Sequence, residues 1–239
     1  MSSWKKNESY LVRDGALYSA DGKTLLLLPS APANGTLVIP SGIETIGPYA
    51  VTGGFFSRLE ISYGVKTIEE HAFEGSSALT ELSLPETLRT IGPYAFASCV
   101  QLPEISFPSS LKRIEHHAFC NDKKLQNVEF SEGLAYIGDQ AFAYTIITRI
   151  DLPLTISWLG DKLFHRVREV PASEDLRPDD PSLTLTLGPE LIHIGEDAFE
   201  HLEIASFEVD PENRYFSSVD GWLYDRTGRV LRYIPPLGR

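Results

Sequence analysis

The chain has 239 residues, 42% hydrophobic and 23% charged, a balance that supports a sizeable folded core and argues against disorder. Its 33 acids outweigh 21 bases for a net charge of −12, which excludes nucleic acid and anionic membrane surfaces as partners, since both are held by clustered Lys and Arg. The longest aliphatic run, Leu25 to Leu28, is far short of the roughly 18 apolar residues of a membrane insertion, and Cys99 and Cys120 alone make no disulfide framework.

The opening MSSWKKNESYLV has two lysines but no apolar stretch after them, so it carries no secretory signal as written and the expected location on that ground is cytoplasmic. Residues 1–33 read as an N-terminal β-hairpin cap. Within them DGALYSADGKTLLLLP, from Asp14, alternates apolar and polar residues on both sides of Asp21-Gly22, a hairpin-turn signal.

From residue 34 to residue 199 the sequence repeats. Seven segments align without gaps over 18 residues, among them FSRLEISYGVKTIEEHAF from Phe56, LTELSLPETLRTIGPYAF from Leu79 and LPEISFPSSLKRIEHHAF from Leu102. They close on Val51, Phe73, Phe96, Phe119, Phe142, Phe164 and Phe199, at spacings of 22, 23, 23, 23, 22 and 35. Self-similarity at a fixed period is the mark of a solenoid. In the third unit Leu82 and Leu84 flank Ser83, the alternation of a strand with one buried face. Pro85 ends that strand, Leu88 and Ile91 turn inward again, and Gly92-Pro93 turns the chain before Ala95 and Phe96. No unit can bury its apolar residues alone, so the coils stack, with Ile46, Ile68, Ile91, Ile114, Ile137, Leu159 and Ile194 as one predicted ladder.

The spacing of 35 marks an insertion, HRVREVPASEDLRPDDP at 165–181, with three prolines and five acids against three arginines. It reads as an exposed loop and a candidate binding element. Residues 200–239 read as a C-terminal hairpin cap, because DGWLYDRTGRVLRYIP from Asp220 parallels the stretch from Asp14.

The string I-G-x-x-A-F-x-x-C-x-x-L-x-x-I-x-(L/F)-P, carried almost throughout by IGPYAFASCVQLPEISFP from Ile91 to Pro108, resembles the BspA-like leucine-rich repeat family. The resemblance covers 35–199. With the periodicity it predicts a single domain, 1–239: a leucine-rich-repeat solenoid (α/β-type, β-rich), a parallel sheet with one short strand per ~23-residue repeat, and β-hairpin caps at both ends. It further implies a bacterial binding or adhesion scaffold on the cell surface, or secreted if a leader has been removed. The family has no common catalytic residues, so none is carried over.

Candidate chemistry in the chain is sparse. His71 and His117 hold the same position two units apart, with Tyr94 between them. At roughly 10 Å across two rungs they cannot share one zinc, so no metal and no cofactor is expected. Cys99 and Cys120 lie at different offsets in their units and are expected to be free thiols. No nucleophile elbow or phosphate loop occurs, so no enzyme is expected. The outward strand positions remain: Arg58, Glu60, Glu81, Ser83, Glu104, Ser106, Asn127, Glu129, Arg149 and Asp151 form an acid-leaning face. The expected function is non-enzymatic protein–protein interaction or adhesion through this face, through the 165–181 loop, or both, with a protein partner whose surface is basic. A carbohydrate-binding surface module is the alternative and an enzyme with an unrecognised site the remote one. Few aromatics stand in these rows, which weighs against a glycan.

Overall fold

The computed structural model describes residues 5–7, 10–29, 35–166, 184–202 and 204–231. The insertion at 165–181 therefore lies outside the described residues, apart from its first two.

The repeats form a β-solenoid whose coils each carry two extended segments and a run of turns. The first extended segment is the predicted Leu-x-Leu strand, seen at Thr36–Ile39, Arg58–Ile61, Glu81–Ser83, Glu104–Ser106, Asn127–Glu129 and Thr184–Leu187. The second was not expected. It is the dipeptide before the Gly or Glu of each unit: Thr45–Ile46, Thr67–Ile68, Thr90–Ile91, Arg113–Ile114, Tyr136–Ile137, Trp158–Leu159 and His193–Ile194. Each pairs in parallel, in register, with the next. In every unit but the sixth, two strands thus stand where one was expected. A β-branched or aromatic dipeptide is too short to show alternation in sequence, but its inward residue is held between identical residues above and below, which fixes it as extended.

The two strips differ in continuity. The dipeptide strip joins the N-terminal hairpin strands in one 11-stranded sheet. The Leu-x-Leu strip splits into separate ladders of three, two and two strands. One break has a plain cause. Ser57 N–H donates to Gly35 O and Thr80 N–H to Ser57 O, carrying the ladder from rung to rung. The same position in the next unit is Pro103, which has no N–H to give, and Glu81–Ser83 is not hydrogen-bonded to Glu104–Ser106. The carbonyl of Pro103 still accepts from Gln126, so pairing resumes one rung later.

Between Ile and the next Leu-x-Leu strand the chain makes turns, and no helix occurs among the described residues. Tyr49, His71, Tyr94, His117, Gln140, Lys162 and Asp197 all have φ between 52° and 57°. A left-handed residue recurring in each unit prevents right-handed helical hydrogen bonding. It also points the N–H along the solenoid, so that Tyr49 donates to Glu70 O, His71 to Pro93 O and His117 to Asp139 O.

The core is the stack of predicted ladders. The rings of Phe73, Phe96, Phe119, Phe142 and Phe164 are fully buried and stack at 5.2, 5.3, 5.5 and 5.8 Å. Both ends are closed by hairpins. Asp14-Gly15 and Asp220-Gly221 have φ values of 50° and 80°, and of 51° and 80°, the signature of a type I′ turn. The N-terminal turn at Asp21-Gly22 read from the sequence is also present, with Gly22 at φ 74°, and Thr24–Leu27 passes the cap onto the first rung by pairing in parallel with Thr45–Ile46.

Candidate binding face

The Leu-x-Leu strip sends one side chain of each pair inward and the next outward, so its outer surface is the row the sequence singled out. Arg58 lies opposite Glu81 and Glu60 opposite Ser83; one ladder further, Glu104 lies opposite Asn127 and Ser106 opposite Glu129. Arg149 and Asp151 are exposed on the same side, but their segment is not a strand, a correction to the row as predicted. Ile150 between them is buried, so packing holds the segment in place without ladder hydrogen bonds.

The acidic excess is partly neutralised within the row. The Arg58 guanidinium meets Glu60 at 2.9 Å and Glu81 at 2.9 Å, and Ser106 donates to Glu129 at 2.7 Å. These pairs are open to water, where an ion pair contributes about 0–1 kcal/mol, so they orient charges more than they stabilise the fold. Glu104 and Asp151 make no ion pair with a described residue. Where the ladder is broken the face opens into a cleft of about 460 Å³. Leu82, Leu84, Ile105 and Phe107 supply its apolar lining, and Glu81, Glu86 and Glu104 its acidic groups.

Elsewhere the side chains that looked chemical are absorbed by stacking. Tyr49, His71, Tyr94 and His117 form a continuous column, with centroids 4.6, 4.8 and 4.6 Å apart. Tyr94 separates the two histidines, and His71 is held instead by Glu74 at 2.8 Å. Burial, and then the neighbouring His116, pull His117 below the ordinary histidine range. Cys99 and Cys120 are free thiols. Burial pushes the first well up and the second to about 11, so neither is an activated nucleophile. Beside them Asp122 is fully buried, one carboxylate oxygen accepting the Cys99 N–H at 2.8 Å.

The model of the BspA type leucine rich repeat region matches residues 44–170 in six copies. The chain belongs to this family. Among solved structures it is similar to a leucine rich repeat protein of T. pallidum, at 28% identity and a TM-score of 0.56, over 62% of this chain and 73% of that one. It is also similar to the pneumococcal vaccine antigen PcpA, at 20% identity and a TM-score of 0.57, over 93% of this chain but 55% of that one. A leucine rich cell surface protein of Faecalibacterium prausnitzii matches at 15% identity and a TM-score of 0.54, over 95% of this chain and 60% of that one. At those two identities the likeness is one of fold, and the chain spans little more than half the length of either. A search of curated proteins gave no match.

The second strip gives this BspA-type solenoid a surface that the sequence analysis missed. Its outward residues run Thr45, Thr67, Thr90, Arg113, Tyr136, Trp158 and His193. The last four stack: Arg113 lies 3.8 Å over the Tyr136 ring, Tyr136 and Trp158 are 6.3 Å apart, and Trp158 and His193 are 3.7 Å apart. The aromatics absent from the first face are gathered here, with their ring faces turned toward one another. The recurring two-residue spacing before Ile was the signal for this row, but without the second strand nothing aligned those residues in space.

Proposed function

We propose that this BspA-type repeat scaffold is a non-enzymatic binding or adhesion module that takes an extended segment of a protein partner on its interrupted face. The cleft between Glu81–Ser83 and Glu104–Ser106 carries this reading. Two strands there face each other without hydrogen-bonding to one another, which leaves backbone donors and acceptors for an added chain. Of the lining residues, the half-buried Leu82 and Leu84 offer apolar contact for alternate side chains. Glu81, Glu86 and Glu104 favour Lys or Arg at the remaining positions, because complementary charge speeds and selects encounter. The occurrence of a similar fold in a protein described as a cell surface protein supports a surface role. A glycan is less well suited, since the stacked row on the other strip turns its ring faces toward one another.

The test is fluorescence anisotropy with labelled extended peptides that alternate Leu or Val with Lys, against sequence-matched peptides carrying Glu in place of Lys. The basic peptides are expected to bind and to weaken as salt rises. Reversing Glu81, Glu104 and Glu129 together to Lys should abolish that binding while the melting curve stays cooperative. Equal binding of basic and acidic peptides, or binding retained by the triple variant, would rule out this face. A glycan array run in parallel addresses the carbohydrate alternative.

A further inference from the structure

The residue after the core Phe of each unit forms a column of its own. In the sixth and seventh units that residue is His165 and Glu200, 35 apart in sequence yet on adjacent rungs. His165 Nδ1 lies 2.9 Å from one Glu200 carboxylate oxygen, and His201 Nε2 lies 3.5 Å from the other. One ligand atom from each of the three residues lies within 4.8 Å of the other two. His201 Nε2 is closed to solvent and has no hydrogen-bond partner among the described residues. A buried nitrogen facing a carboxylate without a hydrogen bond is costly as it stands.

We propose that His165, Glu200 and His201 form a binding site for a divalent transition ion of the zinc class. Two imidazoles and a carboxylate suit Zn²⁺, Co²⁺ or Ni²⁺, whereas Ca²⁺ and Mg²⁺ take shells of oxygen. Zinc sits about 2.0–2.1 Å from its nitrogen and oxygen ligands in a tetrahedral shell, which sets neighbouring ligand atoms about 3.3 Å apart. With one ligand atom taken from each residue, the three atoms lie within 4.8 Å of one another, so side-chain rotations that draw them together by about an ångström or two bring the ligands to that value. Three protein ligands leave a fourth position open. An ion here also has a structural consequence. It ties the sixth rung to the seventh at the residue where the chain leaves the regular repeat, and so constrains the two rungs on which the coil is interrupted. The competing explanation is a plain polar contact of Glu200 with the two imidazoles, which needs no metal.

The experiment uses the full chain, stripped with a chelator and exchanged into a non-chelating buffer. ZnCl₂ is titrated by calorimetry, melting curves are recorded with and without zinc, and CoCl₂ is followed by its visible ligand-field bands. The expected result is one saturable zinc site, a melting temperature raised by zinc, and intense tetrahedral cobalt bands. His201→Ala and Glu200→Gln should each weaken that site by about tenfold or more, since even indirect supports of a metal ligand are worth 10–100-fold. His116→Ala, placed in none of these contacts, should bind as the parent does. The metal-free melting curve of each variant shows whether it folds, and Glu200→Gln keeps the side-chain volume should His201→Ala fail. Zinc binding of equal strength in Glu200→Gln and His201→Ala, or cobalt bands of an octahedral aquo ion only, would overturn the proposal.

Discussion

The two strips of this solenoid are built from the same repeats and end differently. The dipeptide strip has no proline in its ladder and pairs without interruption through every described rung, although each rung contributes only two residues. The Leu-x-Leu strip has longer strands and is broken, in one place because Pro103 stands where a donor is needed. Strand length therefore does not set continuity here. The Phe column continues past the break with little change, at 5.2 Å before it and 5.3 Å across it. The core keeps its spacing while the surface opens, and the cleft is the result.

If packing, not the ladder, holds the broken strip to the rest, the largest effect should come from the core beneath it. Phe119 stacks between Phe96 and Phe142 and meets Phe107, on the broken strip, edge-on at 5.6 Å. Phe119→Ala is expected to cost about 3–5 kcal/mol in denaturant unfolding, a large share of a typical total of about 5–15 kcal/mol. An unchanged midpoint would mean that the strip is held some other way.

A smaller effect of opposite sign is expected at Asp122. Burial raises its pKa well above the ordinary aspartate value, so the folded state retains a proton that the unfolded state releases. Stability from this group is then fully present below the unfolded pKa, near pH 4, and is lost as pH rises toward the folded value. Asp122→Asn removes the titration and keeps an oxygen for the Cys99 N–H. It should stabilise the protein at neutral pH by about 1 kcal/mol or more, with the gain shrinking toward about pH 4. Melting temperatures measured across that range check both sign and window; a gain independent of pH would contradict it.

The smallest effect is the most direct test of the contrast between strips. Pro103→Thr supplies the missing N–H to the Thr80 carbonyl. A hydrogen bond contributes about 0.5–1.5 kcal/mol, while removing proline frees the unfolded chain by about 0.4–1 kcal/mol, so net stability should move by less than about 1 kcal/mol. Amide exchange is the better readout: the new amide at 103 should be protected and the cleft should lose its peptide. Rapid exchange there would show that proline is not what parts the strands.

The coil, its period, its inward ladders and its capped ends were legible in the sequence, because each follows from residues repeated in every unit. A pattern imposed seven times overrides local ambiguity, and identical residues at identical offsets can only stack on one another. The family string from Ile91 to Pro108 lies within that pattern, and so does the outward row from Arg58 to Asp151. What the sequence did not reveal depends on contacts between units. The second strip exists because dipeptides too short to form strands alone are paired above and below. The cleft depends on the absence of one donor in one rung, and Pro103 acquires meaning only opposite Thr80. His165 meets Glu200 because the coil returns to the same azimuth after an insertion that disguises their common position. Periodicity is a property of the chain and can be read along it. Adjacency between rungs is a property of the stacked coils, and only the tertiary structure decided it.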